Sequence, residues 1–276
     1  MKPTVFIHTN ERQRLGALVA AHALRRNSAH ADAFEICLLE TRDFGFLAER
    51  EGQPFLRGGA ERIWKMDDLQ SFTPLRFLPP RLMGFLLSRD MQGRAVLGRR
   101  RTPGKACIAT SAMLLDCGAL REWDAEREFA ELFEFKRDYK DWICLHHVPE
   151  PRKGFFEDEW NDFDRLSPAT KMLHNTKRRT QPWKTGLPVD FVPADKLGKI
   201  PLLGALNRLR VRLFGEYAFL GRYARHPDPN QEAFFFGLLA ECLDAGTVTE
   251  DLLREEMARD HVRHDALELA RRAEPK

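Results

Sequence analysis

The sequence has no apolar run approaching the roughly 18–20 residues a transmembrane helix requires, and its apolar opening is too short for a secretory leader. It lacks an excess of either charge: 44 Lys and Arg face 41 Asp and Glu, for a net charge of +3. A generic nucleic-acid binder carries a clearer surplus, so whole-chain charge does not argue for that class. There is no C-x-x-C pair. The five cysteines, Cys37, Cys107, Cys117, Cys144 and Cys242, are odd in number and sit mostly in apolar runs. That spacing encodes neither a disulfide framework nor a zinc knuckle. The expectation is free thiols acting as small hydrophobes in a reducing, cytoplasmic setting. Internal repeats and low-complexity tracts are absent. What remains is a folded chain. Its 276 residues suffice for one large domain or two small ones, and 43% hydrophobic against 31% charged residues supports a real core.

Local patterning predicts an α/β start. Residues 4–7 read as a short buried strand that opens into His8-Thr9-Asn10. Residues 13–26 take helical periodicity, and 34–39 (FEICLL) form a second strand. In parallel α/β sheets ligands bind beyond the carboxyl ends of strands, which places His8, Thr9 and Asn10 at a site edge. Residues 41–80 read as irregular. Strands are expected near 94–97 and over 108–115, and helices over 126–135 and around 138–145. Residues 202–223 form a basic, apolar, amphipathic candidate helix, which either packs its apolar stripe on the domain or lies on an anionic membrane surface. Two further helices, 231–244 and 249–271, are expected beyond it, for packing or self-association, with Thr249 at a helix start.

The densest polar constellation runs from His174 to Lys184, HNTKRRTQPWK. It combines one imidazole, four cations, two hydroxyls and an indole. Cations and backbone N–H groups in a loop suit a diphosphate, and a neutral imidazole can ligate a divalent metal bound to that diphosphate. The alternative is a solvated basic loop with His174 satisfied by hydrogen bonds. Basic clusters at 99–101 and 177–179 lack the interleaved aromatics that stack bases, so nucleic-acid binding is a weak third class.

The loop from His174 to Pro182-Trp183 resembles the late H-x-x-G-x-x-K-P-W motif of the glycogenin-like glycosyltransferases and related bacterial lipopolysaccharide sugar transferases, with one extra residue and with Lys177 or Arg178 where that family has glycine. Thr4–Asn10 followed by Gly16-Ala17 is similar to the family's first strand, T-N turn and G-A-opened helix. Thr110-Ser111-Ala112 resembles its N-S-G strand, and Trp160-Asn161 its W-N pair. These matches run in family order over residues 4–186. The resemblance implies an α/β, Rossmann-like GT-A nucleotide-sugar-binding domain with a mixed central sheet over 1–195, and a helical C-terminal extension over 196–276. It implies a hexosyltransferase taking a nucleotide-diphospho-sugar donor to an acceptor the sequence does not name. By the same resemblance Thr9 and Asn10 hold the nucleoside. Lys177, Arg178, Trp183 and Lys184 hold the nucleotide diphosphate, and Thr110 and Ser111 contact the sugar. Asp138 and Asp141 stand at the family's catalytic, sugar-binding carboxylate, and His174 binds Mn²⁺ or Mg²⁺.

One part of that pattern is missing. Such an enzyme needs a D-x-D segment whose carboxylates hold the metal against the donor diphosphate. Residues 81–107 carry one acid, Asp90, and no D-x-D, so the domain reads as truncated or replaced near 84–97. The literal D-x-D at Asp162-Phe163-Asp164 lies later, beside Trp160-Asn161. Two classes follow: a sugar transferase, or a catalytically impaired nucleotide-sugar-binding relic acting through its C-terminal helices.

Overall fold

The computed structural model describes residues 2–82, 91, 93–102, 107–191, 209, 212–215 and 217–273. The chain is mixed α/β and divides into two compact units that interleave along the sequence. The first comprises 1–11, 28–66 and 71–176; the second comprises 12–27, 67–70 and 177–276. The division falls after Thr176 rather than after residue 195, and it assigns the first helix to the second unit.

In the first unit β1 (Thr4–Thr9) pairs in parallel with β2 (Glu35–Glu40), in register from Thr4–Glu35 to Thr9–Glu40. The helix between them in sequence is α1 (Arg14–Asn27). A single turn, α2 (Gly45–Ala48), precedes the hairpin of β3 (Pro54–Arg57) and β4 (Ala60–Ile63). The stretch 41–80, read as irregular, therefore contains a sheet. Its turn is Gly58-Gly59, both at positive φ (64° and 73°), the conformation that two-residue hairpins favour and that glycine adopts without strain. After α3 (Pro79–Leu82) come β5 (Val96–Arg100) and β6 (Ile108–Leu115), an antiparallel pair. A short β7 (Lys153–Phe155) runs parallel to β5 on its other edge. Gly98 is required where β5 meets β6, since a Cβ there would lie 2.5 Å from Ile108 Cγ2. The last pair is β8 (Asp162–Phe163) with β9 (Leu173–His174). Among the described residues these strands form separate small sheets, not one central sheet.

Two helices complete this unit: α4 (Ala125–Phe133) and α5 (Tyr139–Ile143). Helix α4 begins where Asp124 accepts the backbone N–H of Arg127, and it buries Ala125, Glu128, Phe129 and Leu132, an i, i+3, i+4, i+7 face. That face enters an aromatic core of Phe55, Trp64, Phe77, Trp123, Tyr139 and Trp142. Fully burying each such ring contributes about 1.5–3 kcal/mol. The one acid on the buried face, Glu128, accepts the Trp142 indole N–H at 2.7 Å.

In the second unit Leu15 and Val19 of α1 join Phe235, Leu239 and Cys242 of α6 (Pro229–Asp244) in one core. Helices α7 (Glu250–Ala258) and α8 (Ala266–Arg272) close it with Leu253 and Ala270. Thr249 caps α7 as its sequence position predicts, accepting the Leu252 N–H. The stretch 249–271 is two helices instead of one. Asp260 turns the chain at φ 58°, and buried His261 docks back on Glu256 at 3.0 Å. A second apolar cluster, Leu69, Leu187, Val189, Phe191 and Tyr223, lies elsewhere in this unit. Among the described residues no helix is long and apolar enough to cross a membrane.

The expectation of uniformly free thiols is corrected. Cys107 and Cys144 form a disulfide across 37 residues, joining the start of β6 to the end of α5, while Cys37, Cys117 and Cys242 remain free. Sequence spacing carries no trace of this pair, because only the packing of α5 on β6 brings the sulfurs together.

Candidate functional site

The carboxyl end of β1 carries His8, Thr9 and Asn10. Thr9 and Asn10 are buried; the Asn10 amide donates to Ser71 Oγ at 2.9 Å, and the Thr9 hydroxyl to the Asn10 carbonyl. Their side chains therefore fix the turn, and the half-buried His8 ring lies against Phe72. His8 Nε2 accepts the Nε–H of Arg76 at 3.1 Å, which leaves its proton on Nδ1. The same guanidinium donates from Nη1 to Thr110 Oγ1 at 3.2 Å, and that hydroxyl donates onward to the Ile143 carbonyl at 2.9 Å.

A second chain of bonds reaches the same place from β9. The Asn161 amide donates to Ser111 Oγ at 3.0 Å. Its oxygen, 3.1 Å from His174 Nδ1, takes the imidazole N–H and leaves the Nε2 lone pair unengaged. Phe163 packs edge-on against the His174 ring. Burial and the neighbouring Arg76 hold His174 far below the usual imidazole range, at about 4. Burial, Arg76 and His174 do the same to His8. Both rings are neutral at ordinary pH, and each feels Arg76. Desolvation also lowers the Arg76 guanidinium, to about 10, and the nearby Arg101 adds to that effect.

Sequence reasoning therefore names Thr110, Ser111 and His174, which the structure brings together, and it missed Arg76 and the role of Asn161. Asn161 was visible only as half of a W-N pair. Its companion Trp160 is 44% exposed. Arg76 stands in the run TPLRFLPP with no local signal.

Several expected site residues are engaged elsewhere. Asp138 caps α5 and accepts the backbone N–H groups of Gly58, Gly59 and Lys140 at 2.7–2.8 Å. These bonds offset its partial burial and draw its carboxyl below the usual range. Asp141 is exposed and paired with His146 at 2.9 Å. Both carboxylates, expected at the sugar, do structural or surface work. Lys184, expected on a phosphate, is fully buried in the second unit, with its ammonium 2.6 Å from Asp190. Trp183 packs on Phe235 with ring centres 5.0 Å apart. Arg178 lies over Phe191 at 4.4 Å, and Lys177 is exposed; both belong to the second unit. An indole and an ammonium in a run of cations are drawn into a core when a carboxylate waits inside it. Asp190, 6 residues beyond Lys184, is that carboxylate.

The later D-x-D is likewise absorbed. Buried Asp162 accepts from Arg165 and Thr170, and Asp164 from Thr176. Arg99 pairs with Asp158 at 3.0 Å and stacks on Phe163, and Arg100 covers Phe155. Asp90 lies outside the described residues. Among the described residues no group of three ligand-type side chains includes His174; the one such group is Cys107, Cys144 and His146. The charges that most affect His174 are Arg76, Asp164, Arg99 and Arg101. Three guanidinium groups against one carboxylate do not fit a resident divalent cation. Of 202–223, residues 202–208, 210, 211 and 216 lie outside the described residues; among the rest Leu209, Leu213, Phe214 and Phe219 are exposed.

No family model, curated protein or solved structure matches this chain.

Proposed function

We propose that the chain binds a nucleotide-diphospho-sugar through its first unit, in a GT-A-like arrangement, and transfers the sugar to an acceptor. The observation that carries this reading is the ending of two hydrogen-bond chains on adjacent residues of β6: His8–Arg76–Thr110 from the end of the first strand, and His174–Asn161–Ser111 from the late histidine motif. A site that takes a nucleotide-sugar needs donors for a diphosphate and small hydroxyls for a sugar. Arg76 supplies the first and Ser111 the second, with Thr110 and Asn161 holding them in place. No step is routed through a metal ion, because the described residues do not form its ligand set.

One observation favours the second reading, a binding relic that does not turn over. Asp138 and Asp141, the expected sugar carboxylates, are committed to backbone N–H groups and to His146. Thermal shift with UDP and UDP-glucose, with and without Mn²⁺, reports binding, because a ligand of the folded state raises its stability. Release of UDP from UDP-glucose reports turnover. Binding with release supports the transferase, and binding without release supports the relic. Neither binding nor release contradicts both.

A further inference from the structure

We infer that Arg76 is the centre of an oxyanion site, and that its guanidinium neutralises the donor diphosphate in the role a divalent cation has in metal-dependent sugar transfer. The anion site follows from geometry alone; calling the anion a nucleotide diphosphate rests on the reading above.

A guanidinium taken out of water is costly unless an anion compensates it. Four other half-buried arginines have such a partner: Arg12 has Asp190, Arg99 has Asp158, Arg137 has Glu131, and Arg263 has Glu232 and Asp265. Arg76 does not. Its partners are the His8 ring nitrogen and the Thr110 hydroxyl, both neutral, and among the described residues no carboxylate pairs with it. His8 cannot become an anion, and its proton sits on the far nitrogen. Thr110 is held by its own bond to the Ile143 carbonyl. Both acceptors orient the guanidinium without quenching its charge. Nη2 is bound to neither, and a planar guanidinium with free N–H groups matches phosphate oxygens.

The surroundings favour an anion over a cation. His174 stands nearby with Nε2 unengaged among the described residues, and the charges acting on its ring are Arg76, Arg99 and Arg101 against the single carboxylate of Asp164. Arg76 is half-buried, and the low local polarity strengthens each charge-assisted bond it makes. The ligand class is a phosphate or phosphoanhydride.

The test is calorimetric titration of the full chain in EDTA with inorganic pyrophosphate, UDP and uridine, for the parent, Arg76→Lys and Arg76→Gln. The parent is expected to bind pyrophosphate and UDP without metal. Arg76→Gln should weaken both by at least about tenfold, as loss of a charge-assisted bond does. Arg76→Lys should retain part of the affinity, and any uridine affinity should not change. Thermal denaturation of the free variants separates this from a structural role. An uncompensated charge gives no stability, so Arg76→Gln is expected to melt no lower than the parent; a large drop would assign Arg76 to the fold instead. Parent-like UDP affinity in Arg76→Gln, dependence of pyrophosphate binding on Mn²⁺, or no anion binding by the parent would overturn the inference. Arg76-dependent pyrophosphate binding with no gain from the uridine moiety would keep the anion site and remove the nucleotide-sugar reading.

Discussion

His174 and Lys184, ten positions apart in one cationic loop, end in opposite roles because one meets an amide and the other a carboxylate. His174 stands out in the sequence only through the motif it resembles, and its imidazole N–H goes to the Asn161 amide oxygen. Lys184 is misleading, because nothing in its neighbours announces the buried Asp190. Arg76 is illegible, because its partner His8 lies 68 positions away and its meaning depends on what it does not touch. Two predictions belong at this scale. The first concerns pH. Unfolded, His8 and His174 protonate near ~6.5; folded, His174 resists until about 4, and His8 is likewise held down. Their contribution to stability is full above the unfolded value. It is lost as pH falls, because the unfolded chain takes up protons that the folded chain refuses, and for His174 the loss levels off near pH 4. Urea midpoints from pH 7.5 to 4.5 should therefore fall, and less so in His174→Gln; equal slopes would show that the ring is not desolvated. The second concerns Asp190, which accepts from Arg12, Lys184 and Tyr223. Asp190→Asn leaves a buried ammonium without its counter-charge and should cost about 3–5 kcal/mol. Denaturant midpoints check this, and adding Lys184→Met should recover part of the loss.

Elements were legible where periodicity is local. β1, α1 and β2 appear within a residue or two of their expected positions, as does the capped start of α7, because burial of one face or of a whole strand writes itself into neighbouring residues. The β3–β4 hairpin was missed because its strands are four residues each and alternate weakly; Gly58-Gly59 was its one marker. Asp138 belongs to that hairpin as much as to α5, since it grips both turn glycines. Asp138→Ala should lower stability by about 1–3 kcal/mol, through loss of a cap and exposure of the turn N–H groups. A catalytic role would instead leave the melting temperature unchanged and remove activity. The disulfide ties β6 to α5 next to the Thr110–Ile143 bond. Closing a loop of this length restricts the unfolded chain, and Cys144→Ser should cost about 2–4 kcal/mol by chemical denaturation. An unaltered midpoint, with free thiols detected at both positions in the unreduced protein, would show that the bond does not form.

For the whole molecule, the linear division expected from sequence fails for a topological reason. Residues 12–27 read as the helix of a first β-α-β unit, but Leu15 and Val19 belong to the core built by α6 to α8, more than 200 residues later. Sequence order cannot reveal which core a helix face enters when its apolar stripe suits either. The mixed α/β class was legible from the alternation of short strands and helices; the splitting of the strands into small sheets was not, because register and pairing are long-range properties. The same holds for the candidate site, whose residues come from β1, the segment before α3, β6, the residue before β8, and β9.

The most direct test of the nucleotide-sugar reading is amide hydrogen exchange of the full chain with and without UDP. The account predicts slower exchange in peptides covering 8–11, 73–78, 108–112 and 161–175, with other segments of the first unit unchanged. Protection confined to other segments, or none at saturating UDP, would contradict it.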